Sequence, residues 1–154
     1  MTETSGVRTD LAGLRELVGT HLGYTEWQEM TQDRVNQFAD VTDDHQYIHV
    51  DVERAKQSPF GGTIAHGYLT LALVAPILGQ LLHVSDAVTG VNYGLDRVRF
   101  PAPLRVGVRW RGGAELADVS EIPGGVQAKL VTTVEAEGSD KPVMVAEALV
   151  RFYG

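Results

Sequence analysis

From Gln57 to Ser85 the chain carries no Asp, Glu, Lys or Arg. A charge-free stretch of that length belongs either in a bilayer or in the middle of a hydrophobic core. The residues choose between the two. Pro59, Gly61, Gly62, Thr63, His66, Gly67, Gln80 and His83 interrupt or bound it. Its continuous apolar part, near Tyr68–Val84, also holds Thr70, Pro76 and Gln80, and lacks flanking Lys/Arg anchors. It reads as a buried helix over roughly residues 67–83, and no membrane span is expected.

The chain then changes period. Val88–Phe100, Arg105–Ala117, Gly125–Glu137 and Lys141–Tyr153 are rich in Val, Ile, Thr and Tyr. Pro101 and Pro103, Pro123-Gly124-Gly125 and Gly138-Ser139-Asp140 separate them. These are strands, and their short links predict an antiparallel meander. Ahead of the central helix, residues 9–18 read as a short amphipathic helix through Leu11, Leu14, Leu17 and Val18, stopped at Gly19. Glu26–Met30 reads as a short strand. Thr31–Val41 reads as a helix capped by Thr31, with Val35, Phe38 and Ala39 inward. Residues 42–50 fit neither period and read as a polar loop, 51–57 as one or two helical turns, and 58–65 as a turn. The outline is α+β, an antiparallel sheet wrapped around a long buried central helix. At 154 residues, a single domain over residues 9–154 is expected, with residues 1–8 disordered or frayed.

Charge and cysteine narrow the function. The net charge of -7 argues against nucleic acid, whose phosphates need Lys and Arg. The lack of cysteine removes disulfides, thiolate nucleophiles and Cys-ligated metals. The opening residues MTETSGVRTD hold no apolar run, so no secretory signal is expected and cytoplasm is the default.

The sharpest motif is Phe38-Ala39-Asp40-Val41-Thr42-Asp43-Asp44-His45-Gln46-Tyr47-Ile48-His49-Val50-Asp51, followed downstream by Phe60-Gly61-Gly62-Thr63-Ile64-Ala65-His66-Gly67-Tyr68-Leu69. With Asn92-Tyr93-Gly94-Leu95-Asp96-Arg97-Val98-Arg99-Phe100-Pro101-Ala102-Pro103, it resembles the MaoC-like, (R)-specific enoyl-CoA hydratase family, in its nodulation-protein-N-like single-domain branch. The resemblance covers roughly residues 15–154. It implies a hot-dog fold, a homodimer, no cofactor or metal, and an acyl-CoA or acyl carrier protein thioester as substrate. The family's Asp and His fall on Asp44 and His49. Its Asn and Pro are replaced by Gln46 and Tyr47, and Tyr does not fix φ as Pro would.

The chemistry fits those residues. Adding water across an enoyl thioester needs a base for water, an acid for the α carbon and a donor for the enolate-like oxygen. Asp44 and His49 can hold one water between carboxylate and imidazole. Gly67, at the expected start of the buried helix, offers a backbone N–H as oxyanion donor and lets a ligand approach closely. Gln46, Ile64, His66 and Tyr68 are the candidate substrate contacts. Taken singly, Asp44 also suits a cap or turn, His49 a satisfied core position, and His66 a helix cap or pocket wall. Which of Asp44 and His49 moves which proton stays open, because the pair titrates as a unit. His45 and His49 are four apart, but in a loop with no Glu between them, so no metal is expected. Arg97, Arg99, Arg105, Arg109 and Arg111 form a candidate patch for steering an anionic carrier.

The expected function is an enoyl-thioester hydratase, equally a 3-hydroxyacyl-thioester dehydratase, and the resemblance implies that it is (R)-specific. One alternative is a hot-dog acyl-CoA thioesterase, whose carboxylate commonly sits on or near the central helix; residues 57–85 contain none. Another is a non-catalytic acyl-thioester binding module, which predicts loss of Asp44 or His49.

Overall fold

Period-2 alternation is clearest in β7 (Gly125–Ala136), where half-buried and buried residues alternate along the strand, and in β8 (Met144–Tyr153). In the computed structural model, which describes residues 6–154, these strands lie at the middle of a six-stranded sheet. Beside β7 runs β6 (Arg109–Ile122), and β6 in turn carries two short strands, β2 (His21–Tyr24) and β3 (Gln28–Glu29). On the other side of β8 lies β5 (Thr89–Arg99). All these pairings are antiparallel. A separate parallel pair joins β1 (Val7–Thr9) to β4 (Leu82–Val84). Val7 and Arg8, expected to fray, are therefore in a strand, while residues 1–5 lie outside the described residues.

The meander holds for β6–β7–β8 and fails for β5, which pairs with β8 at the edge instead of with β6. The cause lies in the 100–108 link. It does not turn as a hairpin but docks along residues 63–65: Ala65 N–H donates to the Leu104 carbonyl (2.7 Å) and Val106 N–H to the Thr63 carbonyl (3.0 Å). Accordingly β6 starts at Arg109, later than the sequence indicates.

The central helix is present in two pieces, α4 (Gly67–Ala72) and α5 (Val74–Leu81). Pro76 has no N–H for the Ala72 carbonyl, and its ring crowds that carbonyl, so the helix breaks at Leu73. Leu69, Leu73, Val74, Ile77, Leu78 and Leu81 face the sheet core, whereas Ala72, Ala75, Pro76, Gly79 and Gln80 form an exposed stripe. The helix is thus buried on one side, not all round. Gly112 of β6 lets it sit close, because a Cβ there would overlap the Ile77 side chain.

Residues 12–17 form a 3-10 helix with Leu14 fully buried. α1 (Gln32–Thr42) follows its cap, Thr31, whose hydroxyl accepts from the Arg34 N–H (3.2 Å). Residues 47–50, expected as loop, form the single turn α2 (Tyr47–Val50), and α3 (Val52–Ala55) follows. Tyr47 occupies the first helical position, which suits the proline of the related motif. Its ring lies 4.0 Å beneath the Arg54 guanidinium, so α2 and α3 are stapled instead by a cation–π contact.

Candidate active site

α1 ends at Asp43, the one non-glycine residue with positive φ (+60°) among the described residues. That left-handed residue turns the chain back and presents Asp44 in front of the start of α4. The Asp44 carboxylate is exposed, accepting from the Gln46 N–H at 3.4 Å. Five residues on, α2 carries His49 inward, to 6% exposure. Ile64 N–H donates to the Ile48 carbonyl (2.9 Å), and His49 Nδ1–H donates back to the Ile64 carbonyl (2.7 Å). A carbonyl only accepts, so Nδ1 carries the hydrogen and Nε2 keeps its lone pair. Burial pushes the His49 pKa below its usual value of 6.5. The bond to Ile64 and the nearby Asp44 oppose that, and His66 adds to it.

His66 is 2% exposed, and its ring stacks on that of His49 with centroids 3.9 Å apart and 24° between planes. Its Nε2–H donates to the Asp44 backbone carbonyl (3.0 Å). A carboxylate oxygen of Asp44 and ring nitrogens of His49 and His66 therefore lie within 4.8 Å of one another. By composition this trio resembles a metal-binding set. One nitrogen of each ring, however, is already spent on a backbone carbonyl, that of Ile64 for His49 and that of Asp44 for His66. The spacing of His45 and His49 does not bring them together either. His45 is exposed and bonds Asp40 (2.9 Å), and that bond raises its pKa.

Gly67 is the first residue of α4, so its N–H has no acceptor within the helix. The side on which a Cβ would stand already faces the Phe100 ring at 3.4 Å. Next to it a hollow of about 290 Å³ is lined by Ile64, Thr70, Phe100 and Leu104 among others. Ile64 borders this hollow and holds His49 through its carbonyl. Gln46 is exposed and precedes α2 without a side-chain capping bond, and Tyr68 is 74% exposed on the first turn of α4.

Sequence reasoning missed Gln32. Its Nε2 donates to the His49 carbonyl (2.7 Å), and its Oε1 accepts from the buried Thr63 hydroxyl (2.6 Å). One amide thus ties α1, α2 and the loop before α4 together. A polar residue in the first turn of a helix gives no sign of this in the sequence. The arginine patch does not form as one face. Arg97 and Arg99 are on β5, while Arg109 and Arg111 are on β6, with two strands between, and pair with Glu137 and Glu135. Arg97, Arg99 and Arg105 have no acidic partner among the described residues.

An antiparallel sheet packed on a central helix, with a carboxylate and an imidazole close together near the helix start, marks the chain as a hot-dog protein. The family model described as "MaoC like domain" matches residues 14–139, and the chain belongs to the MaoC-like dehydratase family. It is 50% identical over 143 residues to 3-hydroxyacyl-thioester dehydratase Z of Mycobacterium tuberculosis, covering 92% of this chain and 95% of that protein. It is 44% identical over 142 residues to nodulation protein N of Rhizobium leguminosarum bv. viciae (88% and 86% covered). Among solved structures, the R-hydratase PhaJ1 from Pseudomonas aeruginosa shares the fold with a TM-score of 0.73 at 23% identity, covering 91% of this chain and 84% of that one. No helix among the described residues is long and apolar enough to cross a membrane.

Proposed function

We propose that the chain catalyses reversible addition of water to trans-2-enoyl thioesters, giving (3R)-3-hydroxyacyl thioesters, with Asp44, His49 and the Gly67 N–H as its working groups. The observation that carries this reading is the pinned tautomer of His49: Nδ1–H is spent on Ile64, which leaves the Nε2 lone pair free on a ring that has a nitrogen within 4.8 Å of a carboxylate oxygen of Asp44. A water between the two gives up one proton to the pair as its oxygen bonds to C3. The double-bond electrons move onto the thioester oxygen, where the Gly67 N–H and the start of α4 meet the developing charge. The enolate then collapses as the pair returns a proton to C2. One water is consumed, and the pair ends in its starting state. The R stereochemistry is supported by the relatives, which include proteins named (R)-hydratases.

The acyl carrier is coenzyme A or an acyl carrier protein. The relatives include a 3-hydroxyacyl-thioester dehydratase and a 3-hydroxybutyryl-CoA dehydratase. The partner is a second copy of the chain. Support comes from β5, an edge strand with one side unpaired among the described residues and with Val91, Tyr93 and Leu95 exposed along it. An apolar hollow of about 250 Å³ lies between this strand and Leu71, Ala72 and Ala75 of the helix region.

The test is incubation with crotonyl-CoA in isotopically labelled water. The expected result is labelled oxygen at C3 with no free thiol. Release of free coenzyme A identifies a thioesterase. Binding without turnover, for both crotonyl-CoA and a long-chain enoyl-CoA, identifies a binding module. Sedimentation at several concentrations tests the dimer, and a monomer throughout rejects it.

A further inference from the structure

We infer that His66 is a positioning residue for this reaction: its Nε2–H clamps the backbone carbonyl of Asp44 while its ring backs the ring of His49, so one side chain sets both members of the pair. The inference rests on the hydration reading and replaces substrate contact as the role of His66.

The hydrogen-bond accounting fixes the form of the ring. The carbonyl of Asp44 can only accept, so Nε2 of His66 is the protonated nitrogen and Nδ1 is bare. That Nδ1 is enclosed with no partner among the described residues. With Nε2 spent on the Asp44 carbonyl and Nδ1 enclosed, the ring at 2% exposure has no free donor to offer a substrate.

The geometry gives this residue leverage. Asp44 stands just after the left-handed Asp43, and among the described residues the one hydrogen bond to its carboxylate comes from the nearby Gln46 N–H at 3.4 Å. Among the described residues, the bond from His66 is the one hydrogen bond joining Asp44 to the start of the central helix. His49 is held at its edge by Ile64 and on one face by His66 at 3.9 Å. Phe38 leans on His66 from α1, with ring centroids 4.8 Å apart, closing the stack. His66 itself is anchored through its carbonyl, which accepts from the Thr70 N–H (3.1 Å) and the Thr70 hydroxyl (3.3 Å).

The experiment compares His66→Phe and His66→Gln with the wild type, using an enoyl-CoA that the wild type hydrates. Phenylalanine keeps a flat ring against His49 and loses the donor. Asp44 is exposed, so water can satisfy its freed carbonyl and the variant folds. Glutamine places an amide N–H near the old Nε2. The expected result for His66→Phe is a fall in kcat of about 10–100-fold with KM and melting temperature unchanged, because misplacing one group of a catalytic pair acts on the chemical step. His66→Gln recovers most of that loss. Nitrogen NMR of the wild type shows His66 protonated at Nε2. Wild-type kcat in His66→Phe, a rise in KM alone, equal loss in both variants, or a proton on Nδ1 each overturn the clamp. If the wild type hydrates no enoyl thioester, the hydration reading fails first and the NMR result stands by itself.

Discussion

The β6–β7–β8 sheet and the segment from Asp43 to Gly67 are built by different means. The sheet rests on many interchangeable contributions: a continuous ladder of backbone bonds from Gly125 to Val134 and an inner face that includes Leu130, Val134, Ala146 and Ala148, all nearly or fully buried. The orientation of the site groups rests on a few specific bonds. Gln32 holds the His49 carbonyl, Ile64 holds His49 Nδ1 and His66 holds the Asp44 carbonyl. Damage to the sheet is therefore read in stability, and damage to the segment in rate.

The largest effect breaks the comparison on the catalytic side. Asp44→Asn and His49→Ala each lower kcat by about 10²–10⁴-fold. Because the two act on one water, the double variant is little worse than the poorer single one. Steady-state kinetics on the three proteins checks this, with circular dichroism confirming the fold.

On the sheet side, Leu130→Ala removes a side chain with no exposure. It costs about 2–5 kcal/mol of stability in denaturant titration and leaves kcat of the folded fraction unchanged. Gly112→Ala is smaller, about 1–3 kcal/mol, because the new methyl group forces Ile77 and the helix away from the sheet. Gln32→Ala sharpens the contrast. It loses two bonds around the site, worth about 0.5–1.5 kcal/mol each, so kcat falls further than the modest drop in melting temperature suggests. The smallest effect is a displacement on the pH axis. The reaction needs His49 neutral, and burial lowers its pKa. Neutral His49 thus persists as pH falls, and the acid limb of kcat/KM lies below the ordinary histidine value of 6.5. A limb at or above that value contradicts a buried base at this position.

The same contrast explains what the sequence made legible. Alternation in β7 and β8, the Thr31 cap and the charge-free helix are written locally, one period at a time, and they appear in place. The pairing of β5 with β8 is not local. It depends on the 100–108 link docking on residues 63–65, which no spacing within the link announces. Pro76 was visible, but the helix break it causes at Leu73 follows only once the carbonyl of Ala72 is counted. At the site, the motif named Asp44, His49 and Gly67 by type and spacing. The bonds that orient them come from Gln32, Ile64 and His66, whose roles arise where α1, α2 and the start of α4 meet.

The central claim is that the segment from Asp43 to Gly67 is a water-adding site, and the stereochemistry of its product tests this most directly. Purified wild-type protein is given crotonyl-CoA, and the 3-hydroxybutyryl product is resolved by chiral chromatography beside that of Asp44→Asn. The account predicts (3R)-3-hydroxybutyryl-CoA from the wild type and almost none from the variant. The (3S) product, or (3R) product formed equally well without the Asp44 carboxylate, contradicts it.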